Sequence, residues 1–320
     1  MNKHEYLSEL KKHLSSLSEE ERKSALDFYE EYFEDAGEGR EADIIAELGD
    51  PEKLAETIKE GSPKEEHEQT PPSSGSFDLD SFKSVQISVI CSSVEFIPSD
   101  RFHFELKPSK RTFFEKSFEG GNLTITERKH FSFFSFGNYY GGYVKVYYPA
   151  KHHFESVSVR SVSADVSMSS FAASDCAVDI TSGSASLRSI FAPRMTIKKI
   201  SGPMDCRDCI FENLTFKNIS GSNIFSGCET GFADMNNTSG RIEYSGKITK
   251  ALNISSVSGD MRFAVNGHAD EYSKDVTMMS GSLVINGVRM KGYKEISPKN
   301  NGKFLRISSI SGDIELIFVE

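Results

Sequence analysis

No apolar run in this 320-residue chain approaches the ~18 residues that a membrane span needs. The opening residues, Met1-Asn2-Lys3-His4-Glu5, lack the basic-then-apolar form of a secretory signal and soon turn acidic, so the expected compartment is the cytoplasm. The eight His show no ligand spacing, and no phosphate-binding glycine loop of P-loop or dinucleotide type is present. Cysteine is sparse: Cys91, Cys176, Cys206, Cys209 and Cys228 are the full complement. Cys206-Arg207-Asp208-Cys209 is a lone CxxC with no second CxxC and no His pair at zinc spacing. No catalytic residue, cofactor or metal site is expected from these absences.

Acidic charge is abundant, and it is unevenly placed. Residues 1–60 hold 18 Asp/Glu and 8 Lys/Arg, which accounts for the whole chain's net −10. Such a head repels phosphate backbones, which argues against direct nucleic-acid binding by that part. Tyr6, Leu7, Leu10, Leu14 and Leu17 fall at helical spacing. Ser18 with Glu21 forms a capping box that opens a second helix, striped by Leu26, Tyr29, Tyr32 and Phe33. A third segment centres on Ile44, Ile45 and Leu48 and stops at Gly49, and Asp50-Pro51 restarts the chain as N-cap and first helical residue. Four short helices around so few large residues make a marginal core, one that gains stability from a partner or from dimerising. Asp27, Glu30, Glu31 and Glu34 share one helical face and are the candidate partner-binding acids.

Residues 61–76, GSPKEEHEQTPPSSGS, read as a flexible linker. Over residues 77–154 apolar residues alternate, as in Val85, Ile87, Val89 and Phe102, Phe104, Leu106, and an antiparallel β cap is expected there, with Gly120-Gly121-Asn122 as a hairpin turn. An aromatic stretch within 130–143 carries Phe131, Phe133, Phe134, Phe136, Tyr139 and Tyr140. Two roles stay open for it: packing over the end of a β core, or projecting as an apolar patch toward a protein, glycan or membrane surface.

From about residue 155 a repeat takes over. Ser-Gly recurs every 19 residues at Ser182-Gly183, Ser201-Gly202, Ser220-Gly221, Ser239-Gly240 and Ser258-Gly259, with Ser163-Ala164 before them. Ser280-Gly281 and Ser311-Gly312 follow after 22 and 31 residues. Apolar residues stand four and one before each Ser, and three and five after it. Steps of two mean strands and the break at Ser-Gly means a bend, so each repeat is one coil and like residues stack on like, ~4.8 Å apart. The expected fold is multidomain and mainly β: a small α-helical bundle over 1–60, the linker over 61–76, the cap over 77–154, and a right-handed parallel β-solenoid of ~19-residue coils over 155–320. The chain finishes in a strand, Ile314–Val319, with no evident cap, and an open edge there would invite pairing, so a homodimer is expected through the solenoid end or the helical domain.

The runs Leu14-x-x-Leu17-Ser18-Glu19-Glu20-Glu21-Arg22, Tyr29-Glu30-Glu31-Tyr32-Phe33 and Ile45-x-x-Leu48-Gly49-Asp50-Pro51 resemble the HAAS signalling domain. Residues 80–320 resemble the putative-adhesin β-strand repeat family, domain of unknown function 4097. The signs are Gly121-Asn122-Leu123-Thr124-Ile125, the Phe131–Gly137 stretch, and Ile310-Ser311-Gly312-Asp313-Ile314 with its counterpart Val257-Ser258-Gly259-Asp260-Met261. The first resemblance implies a signalling or interaction module linked to PadR-type regulators. The second implies a binding protein without an established catalytic residue.

Three functions compete. The leading expectation is a non-catalytic bacterial signalling or scaffold protein acting by protein–protein contact. The alternative is an adhesin or envelope-associated protein at the cell surface, or held at a membrane through a partner. The remote one is a carbohydrate-active β-helix enzyme, which needs clustered carboxylates. The best pair for that, Asp260 and Asp313, is expected two coils and roughly 10 Å apart. Cys209 and Cys228 are expected to stack on adjacent coils as buried thiols.

Overall fold

The structure is a computed structural model that describes residues 2–35, 41–61, 74–109, 112–129, 141–150, 152–290, 294–297 and 302–319. It divides into two compact units, one based on residues 1–72 and the other on residues 73–128 and 140–320.

The first unit is helical: α1 Lys3–His13, α2 Glu19–Asp35, α3 Glu41–Leu48 and α4 Pro51–Gly61. The starts of α1, α2 and α4 are set by side-chain caps that satisfy orphan N–H groups of the first turn. The Ser18 N–H donates to Glu21 Oε2 at 2.9 Å while the Glu21 N–H donates to Ser18 Oγ at 3.3 Å, the expected capping box. Asn2 and Glu5 form another that the apolar spacing did not announce. Asp50 accepts from the Glu52 N–H at 2.8 Å, with Pro51 at the first helical position. Two small clusters make the core. Leu10, Leu14, Ala25, Tyr29, Ala55 and Ile58 form one, and Tyr6, Phe33 and Ile44 the other.

The second unit is built of β-strands, with one short 3-10 turn at Ala269–Glu271 among the described residues. Its first strands are β1 Gly75–Leu79, β2 Ser84–Val89, β3 Ser93–Ser99, β4 Phe102–Lys107, β5 Thr112–Glu119, β6 Asn122–Lys129 and β7 Tyr143–Pro149. The repeat region supplies β8 His153–Ser163, β9 Val166–Ser169, β10 Ala172–Ser182, β11 Ala185–Arg188, β12 Phe191–Lys199, β13 Met204–Arg207, β14 Ile210–Asn218, β15 Ser222–Asn237, β16 Arg241–Ser256 and β17 Met261–Asn266. The last are β18 Tyr272–Met278, β19 Leu283–Ile285, β20 Val288–Arg289, β21 Lys294–Ser297, β22 Lys303–Ser309 and β23 Ile314–Val319.

Each 19-residue period is one coil of a long and a short strand. Long strands pair in parallel, residue on residue 19 later, along β8, β10, β12, β14 and the second half of β15. Short strands do the same along β9, β11, β13 and the first half of β15. β15 and β16 pass the second bend without a break, at Gly227 and Gly246. The interior is filled by the stacked rows four before, three after and five after each Ser, for example Val178, Ile197, Phe216, Met235 and Ile254.

Coil order in space departs from order in sequence at both ends. At the start, β2 lies between β6 and β8, and β3 between β7 and β9. At the finish, β22 lies between β16 and β18, and β23 between β17 and β19. The first and last coils of the unit are therefore second from the ends of the stack. This corrects the expected open edge at Ile314–Val319: β23 is paired on both sides, which removes the basis for dimerisation through that strand. The end coil is β18–β19, flanked antiparallel by β21 and β20. Within the stretch expected to be the cap, β4 pairs antiparallel with β1 and β7, while β2, β3, β6 and β7 form two further parallel coils.

Candidate functional site

The two bends of a coil are built differently. At the first, Gly183, Gly202, Gly221, Gly240 and Gly259 take φ between +94° and +113°. The Ser before four of these glycines, Ser201, Ser220, Ser239 and Ser258, donates its hydroxyl along the stack, for example Ser220 Oγ to the Ile200 carbonyl at 3.1 Å and Ser239 Oγ to the Ile219 carbonyl at 3.0 Å. At the second bend Ser170, Ser189 and Asp208 adopt left-handed φ of 60°, 51° and 53°, a conformation that costs a residue with a Cβ about 1–2 kcal/mol.

Two residues before each Ser the side chain points inward, and in all but the Ser182 and Ser280 coils, where Ile180 and Met278 stand, it is polar. Ser161, Lys199, Asn218, Asn237, Ser256 and Ser309 form this buried row. Asn218 Nδ2 donates to Asn237 Oδ1 at 2.7 Å. Asn237 Nδ2 donates to the Gly240 carbonyl at 3.3 Å, Ser256 Oγ to the Ser258 carbonyl at 3.2 Å, and Ser309 Oγ to the Ser311 carbonyl at 3.0 Å. The row thus supplies donors to carbonyls that the bends turn inward.

Lys199 is the one charged member, 3% exposed, and its Nζ donates to the Ser201 and Gly202 carbonyls at 3.3 and 2.5 Å. Burial lowers its pKa from 10.5 to about 8. The unfolded chain therefore holds the proton more tightly, and this group adds stability only as the pH rises through 8 toward 10.5. Lys199→Asn, which extends the Asn218–Asn237 row by one coil, is expected to raise stability at pH 7 by about 2 kcal/mol. The gain should fade above pH 10. Urea titrations of both proteins at pH 7 and pH 10.5 test this, and a difference independent of pH would refute it.

One residue before each Ser, the side chain points out. Although this position is apolar in the repeat, Val162, Ile200, Ile219, Val257 and Ile310 are 46% to 50% exposed. The cause is parity, since positions four and one before the bend fall on opposite faces of a strand. Three before each Ser, also pointing out, stand Asp179, Lys198, Lys217, Asn236, Ser255 and Ser308. Between these two outward rows runs an open groove of about 630 Å³ with a mainly apolar lining. The buried Lys199–Asn218–Asn237–Ser256 row lies beneath it.

The other candidates fare as follows. Asp27 and Glu30 are exposed on α2, whereas the side chains of Glu31 and Glu34 lie outside the described residues. Phe131, Phe133, Phe134, Phe136, Tyr139 and Tyr140 also lie outside them. All five cysteines are free, and Cys176, Cys206, Cys209 and Cys228 are buried. The close sulfur pair is Cys206 and Cys228, 3.9 Å apart. Hydrogen bonds with Cys209 and Cys228, together with burial, raise the Cys206 thiol well above its ordinary pKa. Asp260 and Asp313 lie on adjacent coils rather than two apart, because the last coil is inserted next to the Ser258 coil, and the Asp313 N–H donates to Asp260 Oδ1 at 3.3 Å. Asp313 Oδ1 accepts from the Ser282 hydroxyl and N–H at 2.7 and 2.9 Å, and Asp165 Oδ1 accepts likewise from Ser184 at 2.6 and 2.8 Å. These bonds, the serine hydroxyl's first, hold both carboxyls below their usual pKa, the opposite of what a glycosidase general acid requires. Among the described residues no three His, Cys, Asp or Glu are placed to hold a metal ion. Among them, too, no helix is long and apolar enough to cross a membrane.

The profile of the Toastrack DUF4097 family matches residues 82–317, and that of the HAAS family matches residues 5–57. No curated protein matches the chain. Among solved structures the chain is similar to a putative adhesin from Bacteroides fragilis at 8% identity, TM-score 0.48, covering 76% of this chain and 96% of that one. It is also similar to a putative cell adhesion protein from Clostridium sporogenes at 7% identity, TM-score 0.24, covering 77% and 99%.

Proposed function

The chain belongs to the Toastrack DUF4097 family, and from that premise we propose that it is a non-catalytic binding and scaffold protein that acts through its surfaces. The observation that carries this is the row Val162, Ile200, Ile219, Val257 and Ile310. Half-exposed aliphatic side chains recur at one position in five of the coils, with Thr181 and Thr238 between them, and exposed apolar surface that repeats in this way marks a contact site. The helical HAAS region would dock a protein partner by its acidic α2 face, with Asp27, Glu30, Glu31 and Glu34 as the contact residues. The resemblance to HAAS modules makes a PadR-type regulator the partner to test.

A photo-crosslinking residue at Ile219 and another at Glu30, each in the full chain within its own cells, should give discrete crosslinked products. Crosslinking no greater than from a control at the exposed Arg262 would overturn the reading. The same face would serve a cell-envelope binding protein, which the repeated outward rows also favour. Protease shaving of intact cells separates the two: protection supports the cytoplasmic scaffold and loss of the protein supports envelope exposure.

A further inference from the structure

The groove is polarised along its length, and that polarity defines a ligand. Its apolar wall is continuous through Ile200, Ile219, Val257 and Ile310, interrupted only by Thr238. The opposite wall changes in kind. It begins with Asp179, carries Lys198 and Lys217 on the next two coils, and continues with uncharged Asn236, Ser255 and Ser308. Four coil steps from Lys198 to Ser308, at ~4.8 Å each, make the span about 19 Å. Lys198 and Lys217 are direct register partners on β12 and β14, so two ammonium groups sit one above the other. Like charges directly opposed across a ladder are destabilising. Among the described residues neither lysine forms an ion pair; the one carboxylate in the wall, Asp179, is the register partner of Lys198 but pairs with Arg160 at 3.8 Å on its other side, which leaves the two lysines in excess. Lys199 brings a third amine beneath the same end.

The geometry points to a single-chain amphiphile with an anionic head, bound as a monomer. The head would lie between the Lys198 and Lys217 ammonium groups, and the chain would run along the aliphatic row toward Val257 and Ile310. An acidic peptide would find no cation beyond the Lys198 and Lys217 coils, and an uncharged apolar chain would leave the lysine pair uncompensated. This inference rests on the outward rows being a contact surface and names what the groove within them takes.

The test uses the full chain and isothermal titration with octanoate, decanoate and dodecanoate below their critical micelle concentrations at low ionic strength. Saturable binding is expected, tightening about fourfold for each added pair of methylenes, as half-buried methylenes give. The K198S/K217S variant, whose serines match those already present at Ser255 and Ser308, should bind dodecanoate about tenfold more weakly and lose most of the salt dependence. The I200T/I219T variant, matching Thr181 and Thr238, should flatten the chain-length series. Equal affinity across the series, unchanged affinity in K198S/K217S, equally tight binding of a dodecyl glycoside, or binding to anionic vesicles alone would each overturn the proposal. If dodecanoate fails while the Ile219 crosslinks persist, the amphiphile is wrong and the contact surface stands.

Discussion

Gly221→Ala is expected to destabilise the β unit by about 3 kcal/mol or more and to lower its thermal midpoint clearly, although it adds a single methyl group. Two costs combine. Gly221 sits at φ +105°, which a residue with a Cβ adopts only under strain of about 1–3 kcal/mol. The added Cβ would also fall on the carbonyl oxygen of Gly202 in the preceding coil, a backbone atom that no rotamer change can move. The Gly221 coil is held on its other side as well, since the Arg241 N–H of the following coil donates to the Gly221 carbonyl at 3.1 Å. Relief therefore requires parting two coils of a parallel ladder. Ala164 shows what permits a side chain at this position: it turns its bend without left-handed φ, above a β2–β3 coil that has no glycine at its own bend. The matched control is Gly120→Asn. Gly120 is also left-handed, at φ +58°, but nothing lies within 4 Å of its Cβ direction, and asparagine tolerates that conformation. Denaturant titration followed by β-sheet circular dichroism should separate the two variants widely, and equal stabilities would refute the stacking argument.

The same glycines explain what the sequence could and could not reveal. A fixed period with Ser-Gly at the bend forces like onto like, so the coil length, the parallel registers and the buried rows at Val178, Ile197 and Phe216 were all legible. Gly183, Gly202, Gly221, Gly240 and Gly259 each lie with their Cβ direction on the preceding bend, but Gly312 follows Gly259 and Gly281 follows Gly312. Nothing local encodes that exchange of coils. It depends on the chain passing from β20 through β21 back into the stack between β16 and β18, and period counting treats such an excursion as a bulge in an ordered series. For that reason period counting sets Asp260 and Asp313 too far apart and makes the final strand an open edge. The groove was closer to legible. Strand parity alone puts Ile200 outside if Ile197 is inside, and puts Asn218 inside with Phe216; pooling the positions four and one before each Ser as one apolar pattern conceals the outward row. The helical caps at Ser18 and Asp50 were readable because the capping residues are adjacent in sequence.

Glu127 carries the other large effect, and strand parity announces it too. Leu123 and Ile125 on β6 point inward, so Glu127 does as well, and it is 3% exposed. Its carboxylate occupies the bend between β2 and β3, where later coils have Ser-Gly. Oε2 accepts from the N–H groups of Ile90, Cys91 and Ser92 at 2.7, 2.9 and 3.1 Å, and Oε1 accepts from the Ser92 hydroxyl at 2.6 Å. Burial alone would raise the carboxyl pKa. The bonds from the Ser92 hydroxyl, the Cys91 N–H, the Thr112 hydroxyl and the Ser92 N–H outweigh it and hold the pKa below the usual value. Glu127→Ala would leave three backbone donors buried without partners, and a loss of about 4 kcal/mol is expected. Glu127→Gln keeps an oxygen for those donors and can present its amide to the Ser92 hydroxyl, so it should lose only about 1–2 kcal/mol. The acid response separates charge from shape. The folded pKa lies below the unfolded one, so the carboxylate's contribution is complete above the unfolded value of about 4.3 and is lost as the pH falls through the folded value. Wild type should therefore lose stability more steeply than Glu127→Gln below pH 4.3, and the two curves should converge in acid. Parallel curves from pH 7 to pH 2 would mean that the carboxylate charge contributes nothing to this bend, whatever its hydrogen bonds do.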